Sequence, residues 1–237
     1  MTVGNVAVVP GGTGSVGSKL IPLLLERGFK VAVTYLIPDE ATSLEEQLDL
    51  DEDRLILRRV DCTDAEAVNG FMQEAAAAFG PINVMASLVG GWSGGRDVAE
   101  TSDVRLERMI DINLRTAWNT SRAAIPHMDE EWGRIILMGS KHSIDTPAGQ
   151  AAYNVAKAGV LALAKSIAVE LLDTNTTANA LLPSVINTDA TRAALPYADY
   201  VNWPQPGEIA DVINLVASEQ SKVINGAFLP VWGSAVI

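Results

Sequence analysis

Cysteine is nearly absent: Cys62 stands alone in 237 residues, so no disulfide can form within the chain and nothing points to secretion. Histidine is almost as scarce. His127 and His142 lie apart with no thiol cluster to join them, so no metal site is expected. Basic residues are outnumbered, 17 against 29 acidic, and the net charge of −12 opposes nucleic acid or an anionic membrane as a partner. No apolar run approaches the ~18 residues of a membrane span, and residues 1–10 carry no basic leader ahead of their apolar stretch. A cytoplasmic protein is therefore expected. Repeats, low-complexity tracts and linkers are also missing, and with 48% hydrophobic residues the chain reads as a single domain over 1–237.

What is present is a regular alternation. Short apolar runs at 5–9, 30–35, 55–60, 82–89, 133–138, 176–182 and 227–231 predict strands. Helical patterns separate them: one through Leu20 to Leu25, an acidic one over 40–50, then 65–78, 103–124, 151–172 and 208–217. Such alternation specifies an α/β fold: a Rossmann-like, doubly wound parallel sheet of about seven strands with helices on both faces. Ligands of these sheets sit at the C-terminal strand edge. Each distinctive stretch of this chain follows a strand, so all of them converge there.

After the first strand comes Pro10, Gly11, Gly12, Thr13, Gly14, Ser15, Val16, Gly17, in which Gly12, Gly14 and Gly17 fit the dinucleotide fingerprint. Glycines let the backbone turn tightly and approach a pyrophosphate, and the following helix N-terminus favours an anion. A plain glycine turn would read the same, but its place between first strand and helix favours the nucleotide. Tyr35 and Leu36 end the second strand, where an acidic side chain would hold the ribose of NAD and a basic one the extra phosphate of NADP. With no Arg or Lys there or in the turn, NAD(H) is preferred, with NADP(H) still possible. The acidic run from Glu40 reads as a solvated face. Asp61, after the third strand, would touch the adenine or belong to a helix cap. Gly90 and Gly91 follow the fourth strand and suit close approach of a cofactor. Trp92 is either a lid over a planar substrate or a packing anchor.

The helix at 103–124 contains Asn113, a poor helix former that gains its place only if its amide has work to do. Ser140 ends the fifth strand. Tyr153 and Lys157, four residues apart in a helical pattern, share one face, and a nearby ammonium favours a phenolate. An exposed tyrosine beside a solvated lysine would show the same spacing; the convergence on one edge argues otherwise. Pro183 then opens a long irregular stretch, 184–206, whose Arg192, Leu195, Tyr197, Tyr200 and Trp203 suit a substrate lid.

With these residues in view, the chain resembles the short-chain dehydrogenase/reductase family nearly end to end. Asn113, Ser140, Tyr153 and Lys157 match its catalytic tetrad. The resemblance implies that Ser140 and Tyr153 hold a carbonyl or alcohol oxygen and that Tyr153 moves the proton. Lys157 would lower the tyrosine pKa and bind the nicotinamide ribose, and Asn113 would hold a relay water. The implied cofactor contacts are Gly11, Gly12, Thr13, Gly14, Ser15, Val16 and Gly17, then Tyr35, Leu36, Asp61 and Cys62. Val89, Gly90 and Gly91 follow, with Tyr153, Lys157, Pro183, Val185, Ile186 and Thr188. Substrate would meet Trp92, His142, Tyr153, Arg192, Leu195 and Trp203.

The chain departs from the family pattern at Pro10, where a threonine is usual, at Ser87-Leu88-Val89-Gly90 in place of N-N-A-G, and at Ser184 in place of glycine. Stretches 89–95 and 186–203 are similar to the dihydropteridine reductases of this family, which makes pterin or quinone reduction an alternative to carbonyl/alcohol chemistry. A non-catalytic nucleotide sensor is the alternative of another class. A homotetramer or homodimer is implied, packed through the helices of Asn113 and Tyr153.

Overall fold

The computed structural model describes residues 4–48, 53–198 and 200–233. The first half runs β1 (Val6–Pro10), α1 (Gly17–Glu26), β2 (Lys30–Tyr35), α2 (Pro38–Leu48), β3 (Leu55–Arg59), α3 (Ala65–Phe79) and β4 (Val84–Ser87). The second runs α4 (Asp103–Ile110), α5 (Thr116–Ala124), β5 (Gly133–Met138), α6 (His142–Asp145), α7 (Ala151–Glu170), β6 (Thr176–Pro183), α8 (Asp189–Ala194), α9 (Pro206–Val216) and β7 (Phe228–Val231). These seven strands form one parallel sheet in the order β3-β2-β1-β4-β5-β6-β7.

Both faces of the sheet are covered, which is why its strands are apolar at successive positions rather than alternating. Along β1, Val6 and Val8 join a core with Phe71 and Met72 of α3 and Val160, Leu161 and Ile167 of α7. Ala7 and Val9 join the opposite core with Leu20 and Leu24 of α1, Leu44 of α2 and Ile209 and Ile213 of α9. Although α7 is apolar enough by composition to span a membrane, half of that window is buried within the protein.

Because β2 and β3 extend to one side of β1 while β4 onward extend to the other, the strand order reverses beside β1. Loops after β1 and β4 leave in opposite directions and open a crevice at the C-terminal edge.

Three expectations need correction. The helix predicted over 103–124 is a rod broken by a π-helical turn, Asp111–Arg115, between α4 and α5. The fourth strand is shorter than 82–89, and Ile82 makes only an isolated bridge to Met128. The stretch 184–206 is not wholly irregular: α8 lies within it, started by a capping box between Thr188 and Thr191. The end of the predicted 40–50 helix, residues 49 and 50, and residue 199 of the 184–206 stretch lie outside the described residues.

Candidate active site

The glycine turn is built on close backbone contact. Gly11 has φ +72, a left-handed conformation that favours glycine, and its N–H donates to Thr34 Oγ1 at 3.0 Å. A Cβ on Gly11 would meet Val89, one on Gly12 would come within 2.8 Å of Val33, and one on Gly17 would overlap the Gly12 carbonyl. Gly14 differs, because its nearest neighbour would be Gly11 O at 3.5 Å, an ordinary contact. The chain's own packing therefore explains Gly11, Gly12 and Gly17 but not Gly14; a ligand backbone lying on the turn would.

The end of α1 that faces this turn has no side-chain cap and no acidic residue in its first turn. The N–H groups of Ser18, Lys19 and Leu20 are bonded to the Gly14 and Val16 carbonyls. It is therefore the partial positive charge of this helix end, above a turn open at Gly14, that suits a pyrophosphate and lets the residues present fit a dinucleotide. Thr13 Oγ1 donates to Glu40 Oε2 at 2.9 Å, which brings a carboxylate of α2 to the rim of the turn.

Across the switch point, the loop after β4 is clamped by the π-turn. Asn113 is buried, its Nδ2 donating to Gly91 O at 2.9 Å and Met109 O at 3.1 Å while Oδ1 accepts from Gly91 N at 3.1 Å. The work expected of this amide is thus backbone holding. A π-turn adds one residue per turn, which frees Met109 O for a side-chain donor. A Cβ on Gly90 would stand 3.0 Å from Asn113 Oδ1 and 3.2 Å from Lys157 Nζ. Glycine there lets both groups close on the loop.

Ser140, Tyr153 and Lys157 meet at the same edge. Ser140 is buried, its Oγ accepts from the His142 N–H at 3.2 Å, and its hydroxyl lies near enough to the Tyr153 phenol to influence its titration. Lys157 is also buried, on the α7 face one turn from Tyr153, and its Nζ donates to Met138 O at 2.7 Å. Burial pushes the Tyr153 phenol above its ordinary value, and the Ser140 hydrogen bond pulls it partly back. Burial also draws the Lys157 ammonium down to about 8. In the protein by itself, then, Ser140 rather than Lys157 is the group that lowers the phenol.

Other predicted residues divide. The His142 ring meets Tyr153 edge-on at 6.2 Å, and burial lowers its pKa, with a Gln150 hydrogen bond acting the other way. Trp92, half exposed, donates from Nε1 to Gln150 Oε1 at 2.7 Å. Gln150 therefore ties the β4 loop to the Ser140–Tyr153 loop, a bond that Arg96 N→Gly149 O at 3.0 Å repeats. Sequence reading missed Gln150 and treated Glu40 as part of a solvated face, since neither sits in a motif.

Asp61 Oδ1 is bonded to Thr63 N and Oγ1, while Asp64, the next residue, caps α3. Cys62 is buried with Sγ 3.5 Å from Thr34 Oγ1. Tyr35 ends β2 half-buried, and Leu36 beyond it is 52% exposed with no charge to offer a ribose.

Pro183 closes β6 and its O accepts from Lys141 N at 2.9 Å, which holds the Ser140 loop to the strand. Val185 and Ile186 follow half-buried; Ile186 O accepts from Thr191 Oγ1 at 2.6 Å, and Thr188 caps α8. Arg192 Nε donates to Asn187 Oδ1 at 2.6 Å and its guanidinium lies 5.3 Å over the Tyr200 ring, which meets Trp203 at a tilt with centroids 6.0 Å apart. Leu195 is exposed. These contacts lie within the 184–206 stretch, and Asn187 N→Pro204 O at 2.9 Å closes its base.

A switch-point crevice shaped for a dinucleotide, with a phenol and an ammonium buried at its lip, marks a nucleotide-dependent oxidoreductase. The chain belongs to the short-chain dehydrogenase family, whose model, described as short chain dehydrogenase, matches residues 5–197. It is an NAD(P)-dependent oxidoreductase. The 3-oxoacyl-[acyl-carrier-protein] reductase MabA of Mycobacterium tuberculosis is 31% identical over 98% of this chain and 92% of its own length. The 3beta-hydroxysteroid dehydrogenase 2 of Eggerthella lenta is 27% identical over 97% and 94% respectively. Among solved structures, a short-chain dehydrogenase/reductase from Serratia marcescens superposes with a TM-score of 0.90 at 28% identity, covering 98% of this chain and 97% of that one.

Proposed function

We propose that the protein moves a hydride between a nicotinamide dinucleotide and a carbonyl or alcohol carbon, with Tyr153 as the group that gives or takes the proton. The observation that carries this reading is the meeting of buried Ser140, Tyr153 and buried Lys157 at one sheet edge, with Tyr153 and Lys157 one helical turn apart and the serine hydroxyl drawing the phenol's pKa down. The nicotinamide supplies or accepts the hydride when bound. The chain's own residues do the rest. With the His142 N–H already donating to Ser140 Oγ, the serine proton is directed at a partner oxygen, either the phenol's or the substrate's. Lys157 supplies positive charge beside the tyrosine and is the residue assigned to the ribose. Asn113 acts by fixing the β4 loop on which the nicotinamide end would rest.

NAD(H) is the preferred cofactor in this reading. Glu40 places a carboxylate on the hydroxyl of the glycine turn, and the second phosphate of NADP, arriving near the end of β2, would meet like charge. The stretch 184–206 serves as a lid over the substrate. Assembly as a dimer or tetramer is favoured by the groove between α5 and α7, lined by Leu114, half-exposed Trp118, Gly159 and Ala162, small enough at several positions for another helix pair. Cytoplasmic location accords with the lone, buried cysteine.

The named relatives act on different carbonyl compounds, so the substrate class is kept broad. A panel of 3-oxoacyl thioesters, cyclic ketones and quinonoid dihydropterin, each with NADH and NADPH, tests the reading through loss of nicotinamide absorbance. Turnover of ketones with NADH supports it. Turnover of the pterin alone would replace carbonyl chemistry with pterin reduction, and no turnover of any would remove both.

A further inference from the structure

A cleft of 660 Å³ opens on the outer side of the β4 loop, between Gly91, Trp92, Ser93 and Arg96 on one wall and α4 on the other. Arg105, Arg108, Met109 and Ile112 face it from α4 and the π-turn, at the spacing that puts side chains on one helical face. Three guanidinium groups thus line a single cleft, with Glu100 as the one carboxylate among its lining residues. This is a local excess of positive charge on a chain whose net charge is −12.

Arg105 is half-buried and anchored, its Nη2 donating to Ser93 Oγ at 2.6 Å and Gly94 O at 2.7 Å. Arg96 and Arg108 form no side-chain hydrogen bond or ion pair among the described residues, while ion pairs do form elsewhere at Arg58 and Arg115. Guanidinium donors left unpaired around one anchored neighbour form a cradle for carboxylate or phosphate oxygens, which take paired N–H groups from arginine. An anion also relieves the mutual repulsion of the three charges.

The cleft adjoins the candidate catalytic centre. Met109 and Ile112, on its wall, pack in one cluster with Tyr153, and Gly91 is the residue clamped by Asn113. Trp92, on the cleft wall, is held by Gln150. We propose that this cleft is an anion subsite, which takes a carboxylate or phosphate carried by the carbonyl substrate away from its reacting carbon. The inference rests on the carbonyl/alcohol reading above, and identifies a substrate bearing a distal negative charge.

The test has two arms, both with dinucleotide saturating so that the glycine turn is filled. In the first, a keto acid is compared with its methyl ester, and a 3-oxoacyl pantetheine thioester with the same compound carrying its terminal phosphate. Arg96→Ala and Arg108→Ala should each raise KM for the charged member of a pair by about tenfold, leave kcat unchanged and leave the neutral member unaffected. Arg108→Lys should restore part of the loss. Which pair responds tells a carboxylate source from a phosphate source. Equal changes for charged and neutral members, or none, overturn the proposal.

The second arm needs no turnover: calorimetric titration of inorganic phosphate into wild type and the Arg96→Ala/Arg108→Ala double variant. Binding by wild type that the double variant loses supports the subsite, while equal binding or none by wild type overturns it. Failure of every ketone in the first arm, with phosphate binding intact in the second, would count against the carbonyl reading and not against the anion site. Both arginines are exposed, and an unchanged thermal midpoint in the variants shows that folding is not the cause.

Discussion

Asn113 grips the Gly91 peptide from both sides, its Nδ2 on the carbonyl at 2.9 Å and its Oδ1 on the N–H at 3.1 Å. No other residue type offers one donor and one acceptor in that plane except glutamine, which is a methylene too long. Both Nδ2 hydrogens are taken, by Gly91 O and by Met109 O.

Asn113→Ala should therefore free the loop that carries Gly90, Gly91 and Trp92. Three backbone groups, Gly91 N, Gly91 O and Met109 O, lose a partner; only the bond to Met109 O is buried, and its loss costs about 1–3 kcal/mol. Calorimetric unfolding should show a loss in that range, and nicotinamide dinucleotide should bind more weakly. Asn113→Asp keeps an acceptor but no donor, and should fall between wild type and alanine.

Lys157 gives a pH signature. Its ammonium titrates at about 8 in the folded chain against an ordinary 10.5, so the unfolded chain holds the extra proton between those values. Stability from this group is then complete above 10.5, falls as pH drops toward 8 and stays at its lower level below, a span of about 3 kcal/mol at ~1.4 kcal/mol per unit. Lys157→Met should flatten that part of the stability curve, raise the unfolding midpoint at pH 7 and abolish turnover. A lower midpoint for the methionine variant would show that the ammonium is not the costly buried charge described.

Glu40 bears on cofactor choice. Glu40→Gln keeps a bond to Thr13 and removes only the charge. KM for NADPH should drop about tenfold while KM for NADH moves by less than about threefold, the asymmetry of relieving like charge at one phosphate. Equal shifts for the two cofactors would leave the carboxylate without a selective role.

Two glycines of the turn should separate in experiment. Gly17→Ala drives a Cβ into the Gly12 carbonyl and should cost at least about 1–3 kcal/mol, or prevent folding. At Gly14 the same change meets only an ordinary contact, so the unfolding midpoint should hold while dinucleotide affinity falls. Affinity unchanged in Gly14→Ala would mean that nothing lies on the turn at that point.

The sheet was largely legible in sequence because its signal is local. Runs such as 30–35 and 133–138 are apolar, short and bounded, and both coincide with β2 and β5. The C-terminal edge followed from the alternation of strands and helices, which placed the glycine turn, Gly90, Ser140 and Pro183 on it, whereas the grouping of Asn113 with Ser140, Tyr153 and Lys157 came from the family resemblance. The π-turn was invisible to hydrophobic periodicity, which a single added residue barely shifts, and Asn113 pointed only to a working amide. Glu40 and Gln150 were hidden for another reason: their partners Thr13 and Trp92 lie 27 and 58 residues away, and only packing brings them together. The balance of charge at Tyr153 was unreadable too, since burial, which decides it, is a property of the folded chain.

The most direct test of the account is Tyr153→Phe, assayed for dinucleotide binding by fluorescence titration and for single-turnover hydride transfer to a ketone that wild type reduces. The phenyl ring preserves packing against Met109 and Ile112 and removes only the phenolic hydroxyl. Binding should stay within about twofold, while transfer falls by ~10²–10⁴, the range ascribed to a positioned proton donor. Transfer at the wild-type rate with binding intact would contradict the role given to Tyr153 and the chemistry built on it.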